Sequence, residues 1–598
     1  MNTLDRRTFL ATVSCSMAGF ASAPLFPVQL NLSEFAGQCL EDSHNNLPVC
    51  WLDIAAPFIV EDAELGIHSE IVLTSNTFAG SAGHVESENA TEYEIYLYDA
   101  SGQAVGTDGL ARRIVVKALN TTVIPVRELI GEQTKFWGGL KIRLRPAGQQ
   151  KLHATDLFSS AFVRWYTAQS FDAIHANPDP LQWQTSDSYF YSMPFPALDQ
   201  YECVFSLFNP NNISSAGELT ATDSLGKRIA SRRYELKPHA SLLFDVNAGK
   251  VISNPWSSDK TEKPGTGGGL LSVVNDSGTA KGFGFMMIRR NAQKRFSVEH
   301  MIHQSVFKQT PPVAPFDDKN QFKAKNVLYT PLLFHNKKLT ANNEHLTLES
   351  RFHLGAGLPL EESLWLYPFA VNAKGEAVWS ALADPKITRA LPEQTERGVI
   401  RLKAHQSCML DFNQLSLPIG FSSGGLAVAV SPDTNHTLFK VEVRIPEWNA
   451  HAFTHFRPGL RSARLYQKPK ERGGLATDYI TSGARITRRN QTITFDELIC
   501  VINIDDRGLE ARPKLELFGS KGLAARIALN PIPPFACHQF LLTEVLEGDG
   551  NNELLSLRLV DDQATLLMSV VHIDHQRRDI ALDHGSDRFS TFQDFICQ

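Results

Sequence analysis

Four histidines, His175, His300, His455 and His584, occupy matching places in this sequence. They close the short segments Phe171-Asp172-Ala173-Ile174-His175, Phe296-Ser297-Val298-Glu299-His300, Phe453-Thr454-His455 and Ile580-Ala581-Leu582-Asp583-His584. Neutral imidazole is a common ligand for iron, copper and zinc, so four equivalent imidazoles would make a transition-metal site if their segments converged. Further imidazoles lie nearby at His303, His451, His572 and His575, and carboxylates at Asp172, Glu299, Asp579 and Asp583. A carboxylate beside a histidine suits support of a ligand from behind, or proton transfer. The blander alternative is that a histidine recurring at one place in a repeat ties down a turn through a backbone carbonyl. Two points weigh against a shared site. His455 has no carboxylate beside it in sequence, and tandem domains that string out would hold equivalent residues far apart.

The histidine segments end a longer repeat of about 125 to 155 residues, present four times. Each copy opens with a strand that runs into a polar turn: Ile71-Val72-Leu73-Thr74, Val204-Phe205-Ser206-Leu207, Leu346-Thr347-Leu348 and Ile499-Cys500-Val501-Ile502. A second strand ends in a Gly turn at Gly102, Gly226, Gly375 and Gly522, where Gly supplies the positive φ of a hairpin. A bend and returning strand follow at Pro238-His239-Ala240, Ala404-His405-Gln406 and Pro534-Phe535-Ala536, with the first copy degenerate over 117–129. His239 and His405 hold equivalent places there and are expected to cap the bend. An apolar strand then precedes each terminal histidine. Short alternating strands with Gly, Pro and Asn turns, and almost no helical periodicity, predict an all-β chain. Each copy has the size of an immunoglobulin-like β-sandwich.

Length agrees. At roughly 150 residues per domain, 598 residues allow about four domains. The expected boundaries are 22–190, 191–315, 326–465 and 466–598, with linkers near 186–195, 310–325 and 458–471. Trp183, Tyr189, Phe190 and Tyr191 in the first linker are expected to fill a domain interface or to stack on a partner. Apolar residues make up 43% and charged residues 20%, a globular balance. A net charge of −6 lacks the basic footprint of a nucleic-acid binder. No apolar run reaches the roughly 18 residues of a membrane span.

The N-terminus, Asp5-Arg6-Arg7-Thr8-Phe9-Leu10 before a modest apolar run to residue 20, looks like a twin-arginine export signal. Gly19 and Ala21 suit cleavage before Ser22, so residues 1–21 are expected to be removed. That resemblance implies a folded cargo destined for the periplasm or the exterior, where disulfides form. Cys39 and Cys50 are the best candidate pair, whereas Cys203 and Cys500 read as small core residues. Gly-x-Ser-x-Gly, His-Glu-x-x-His, a phosphate-binding loop, a dinucleotide fingerprint and Cys-x-x-Cys are all absent from the sequence. The strand-turn-Gly-strand layout resembles the β-sandwich repeats of many bacterial envelope proteins. The reading is therefore an exported, non-enzymatic protein whose tandem sandwiches bind a protein or polysaccharide partner or act as a scaffold. No cofactor is expected, a transition metal being possible. The alternative is a metal-binding protein or metalloenzyme using His175, His300, His455 and His584.

Overall fold

The computed structural model describes residues 52–587 apart from connecting segments, the longest being 76–89, 148–160, 177–188, 256–267, 305–325, 379–394, 412–421 and 459–474, together with two strand pieces at 40–41 and 48–49. Cys39 and Cys50, Trp183 and the export signal lie outside the described residues. The described chain is mostly strand with almost no helix, so the expected all-β class holds. None of its helices is long and apolar enough to cross a membrane.

The first unit sets the pattern. Its strands are β1 Leu52–Asp62, β2 His68–Thr74, β3 Ala90–Asp99, β4 Leu110–Lys117, β5 Thr121–Pro125, β6 Lys135–Ala147, β7 Ala161–Tyr166 and β8 Phe171–His175. They form two antiparallel sheets, ordered β1-β6-β3-β4 and β8-β7-β2-β5. The degenerate stretch after residue 117 is β5, which pairs with β2 in the same way as the recognisable copies elsewhere. Apolar residues from both sheets, including Ile71, Tyr93, Leu140 and Trp165, share one core. This sandwich-like arrangement follows from period-2 alternation on facing sheets.

The second unit repeats the order with Tyr189–Phe195, Gly269–Asn275, Ser215–Asp223 and Arg228–Leu236 in one sheet, and Phe296–His300, Phe283–Arg290, Tyr201–Phe208 and Ser241–Asp245 in the other. The third and fourth units follow suit, ending in the hairpins Phe439–Ile445 with Ala450–His455 and Leu566–Asp574 with Asp579–His584. Tyr189–Phe195, expected as part of a linker, is a strand that pairs with Gly269–Asn275. Its aromatic residues favour a ladder position over a loop.

The units do not string out. The histidine-bearing strand of each unit packs against those of the units before and after it, and the fourth meets the first. A head-to-tail contact that closes after four copies makes a ring. The side chains two and four residues before each histidine enter the neighbouring unit. Phe296 and Val298 of unit two complete the core of unit one. Phe453 of unit three joins the core of unit two. Ile580 and Leu582 of unit four join that of unit three. Phe171 and Ala173 of unit one meet Phe495 and Ala581 of unit four.

The four joints fall into two kinds. Units one and two share a large apolar core, as do units three and four. The joints from two to three and from four to one are mostly polar. At the first, the Tyr201 hydroxyl donates to Glu442, and the Phe453 amide donates to Ser297 Oγ at 3.0 Å. At the second, Asp579 Oδ2 accepts from Ser170 Oγ at 2.7 Å and from the Phe171 amide at 3.0 Å. The ring is thus two apolar halves joined by two polar seams.

The Gly turn and the bend, read separately in sequence, are two parts of one joint. The turn of unit one sits on the bend of unit two, where a β-carbon on Gly102 would lie 2.4 Å from the Pro238 carbonyl oxygen. Gly375 of unit three stands just as close to Pro534 O of unit four. Asp99, Asp223 and Asn372 order the three turns through the same side-chain-to-amide bonds. His239, His405 and Phe535 at the bends hold left-handed backbone, with φ of 62°, 65° and 61°. His239 stacks on Tyr98 of the preceding unit, with ring centres 4.1 Å apart. The two histidines therefore shape and fasten a joint. Gly375→Ala is expected to destabilise by about 2–4 kcal/mol, from clash plus positive φ. Gly66→Ala, where φ is +66° but nothing lies within 4 Å, should lose only about 1 kcal/mol. Urea melts of the two variants test this, and equal losses would mean that the close approach contributes nothing.

Candidate metal centre

Ring closure brings His175, His300, His455 and His584 to one place on the axis. Each stands last in its strand, paired across its hairpin with Phe162, Phe285, Lys440 and Ser569 respectively. Neighbouring imidazoles around the ring have centres 4.9 Å (His175 to His300), 4.6 Å (His300 to His455), 4.1 Å (His455 to His584) and 4.8 Å (His584 to His175) apart. His300 and His584 face each other across the diagonal at 6.1 Å. Adjacent rings are tilted by 73° to 77°, like blades round a hub. All four residues are buried, with exposures of 4–8%.

This spacing suits an ion at the hub. The midpoint of the diagonal lies half of 6.1 Å, about 3 Å, from the His300 and His584 ring centres. An imidazole ligating at about 2.1 Å through one nitrogen has its centre about 3.2 Å from the metal. The candidate ligand atoms of His175, His300 and His584 lie within 4.8 Å of one another, as do those of Glu299, His300 and His455.

Acceptors stand behind the rings. Glu299 Oε1 is 3.3 Å from His455 Nδ1, and Asp583 Oδ1 is 3.9 Å from His175 Nδ1. The Gly585 carbonyl oxygen lies 3.2 Å from His584 Nδ1. The acceptors within hydrogen-bond reach, on Nδ1 of His455 and His584, set the tautomer that offers Nε2 for ligation. The carboxylate that His455 lacks in its own strand comes from the unit before it. Both carboxylates cross polar seams, Glu299 from unit two to unit three and Asp583 from unit four to unit one.

The other noted residues stand outside the tetrad, some at the joints and some within a unit. His451 Nε2 lies 3.3 Å from the Ile288 carbonyl oxygen. His572 pairs with Glu497 at 2.6 Å, and His575 meets the Trp448 ring edge-on. His303 lies in the strand Ile302–Gln304 and pairs with Tyr191. Asp172 accepts from the Val298 amide across the first joint. Lys440 is the residue that pattern reading missed. Its alternating neighbours in Lys440-Val441-Glu442-Val443-Arg444 suggest a solvent-facing side, yet Lys440 is 1% exposed. Comparing the copies would have exposed it, because its slot holds Phe162 and Phe285 in the first two units.

Burial also leaves a titration signature. Desolvation pushes Asp579 up to about 7 and Asp172 well above the usual carboxylate range. A raised carboxyl keeps, in the fold, a proton that the unfolded chain releases near pH 4. Its stabilisation is therefore present at acidic pH and fades as pH rises through about 7. Asp579→Asn removes this titration. The melting temperature of the wild type is expected to fall relative to the variant between pH 5 and pH 8, and a constant gap would contradict the assignment.

No protein-family model matches this chain, and no curated protein is similar to it.

Proposed function

We propose that this is an exported, non-enzymatic β-sheet protein whose four immunoglobulin-sized units close around one transition-metal ion held by His175, His300, His455 and His584. The convergence of one buried histidine per unit carries the reading. Imidazole-only donors favour zinc, copper, nickel or iron over calcium and magnesium, which take oxygen ligands. Four protein donors also fill a four-coordinate shell, as in a structural ion's site, whereas a catalytic ion keeps a position open. The ion would staple the two apolar halves into one rigid scaffold that presents its outer sheets to a protein or polysaccharide partner. The twin-arginine resemblance fits such a cargo, since the site exists only after all four units have folded.

The test is elemental analysis of the mature protein, purified without chelators from a twin-arginine-competent host. About one transition metal per chain is expected, and none once His300→Ala and His584→Ala are combined. A second reading, a metal-free scaffold, draws on joints that fasten without an ion, through the Gly turns and buried polar pairs. A wild-type protein that stays empty after incubation with zinc, copper and iron would favour it.

A further inference from the structure

Lys440 is buried beside the tetrad, in the cross-strand slot opposite His455. Its ammonium donates to Glu299 Oε1 at 2.7 Å and to the His300 carbonyl oxygen at 2.9 Å. The His300 amide donates to that same Glu299 oxygen at 3.1 Å, and His455 Nδ1 stands 3.3 Å from it. Three donors from two units thus meet on one buried oxygen. An oxygen so engaged has little lone-pair capacity left for an ion, although it lies only 3.8 Å from His300 Nε2. A carboxylate that takes Nδ1–H of a ligating histidine fixes both its tautomer and the direction of its Nε2 lone pair. A lysine is the partner this requires, because an unpaired carboxylate buried beside the rings would be strongly disfavoured.

We propose that Glu299, anchored by Lys440, is the positioning group of the metal centre, accepting the Nδ1 proton of His455 across the seam so that Nε2 faces the axis. The assignment rests on the metal reading above and adds to it a role for residues that do not touch the ion. Asp583 is the corresponding group across the opposite seam. It stands further from its histidine, 3.9 Å from His175 Nδ1, and also accepts from the Thr481 hydroxyl. The two seams are therefore unequal, and the unit-two carboxylate has the stronger hold.

The experiment is a Co²⁺ titration of the metal-free full mature chain, read by the visible d–d absorption of the bound ion. Glu299→Gln is expected to weaken Co²⁺ binding about 10–100-fold with the band positions unchanged. Asp583→Asn should lose less. The Lys440→Met/Glu299→Gln double variant, which leaves no unpaired buried charge, should match Glu299→Gln alone. Binding by Glu299→Gln within about twofold of wild type would overturn the positioning role. So would shifted bands, which would make Glu299 a ligand. A wild-type chain that takes up no Co²⁺ would instead sink the metal reading itself, and this proposal with it.

Discussion

Lys440→Met alone is expected to destabilise the protein by about 3–5 kcal/mol, the usual loss when one partner of a buried ion pair is removed. Both members are effectively dry, with side-chain exposures of 1% for Lys440 and 2% for Glu299. Burial lowers the pKa of the ammonium and the adjacent Glu299 carboxylate pulls it back up, so the charged state depends on the pair. Methionine fills similar space but leaves the carboxylate facing only the His300 amide and His455. Adding Glu299→Gln removes the stranded charge and should restore most of the loss. Urea melts of the two single variants, the double variant and the wild type yield the coupling energy directly. A single-variant loss under about 1 kcal/mol would mean that water reaches Glu299 and that the pair is no anchor.

Metal should stabilise the whole ring by mass action. At a free-ion concentration about 1,000 times Kd, binding to the folded state alone adds about 4.1 kcal/mol. The gain should be uneven in space. His175 and His300 belong to one apolar half and His455 and His584 to the other, so an ion at the hub ties the halves across both polar seams. Amide exchange is expected to slow most in Phe171–His175, Phe296–His300, Ala450–His455 and Asp579–His584 on metal addition. The shared apolar cores within each half should change little. Protection spread evenly over all units would show that the ion does not act at the seams. A melting temperature that metal leaves unchanged would remove the staple altogether.

Much of this architecture is legible in the chain. Strand positions follow from alternation, because in a two-layer sandwich the inward face must be apolar whatever the neighbours are. The Gly turns follow from the positive φ that only Gly adopts freely, seen at Gly102, Gly226 and Gly375. The histidines were found as a recurrence and needed no geometry. Segment 189–195 reads as linker because its flanks are polar, although its own residues suit a ladder.

The local code stops at the joints. Glu442, Lys440 and Glu497 interrupt apolar strands as surface residues do, yet all three are buried. For Lys440 and Glu442 the partners belong to another unit, and no window of one strand records which unit that is. The carboxylate behind His455 lies 156 residues upstream, too far for any motif.

Residue order alone thus determines an all-β chain of four like units, each ending in a histidine, because strand and turn chemistry acts over a few neighbouring residues. Whether the units form a string or a ring depends on the angle at each joint. That angle comes from packing between surfaces remote in sequence. Closure, and with it the meeting of the four imidazoles, is therefore a property of the tertiary structure.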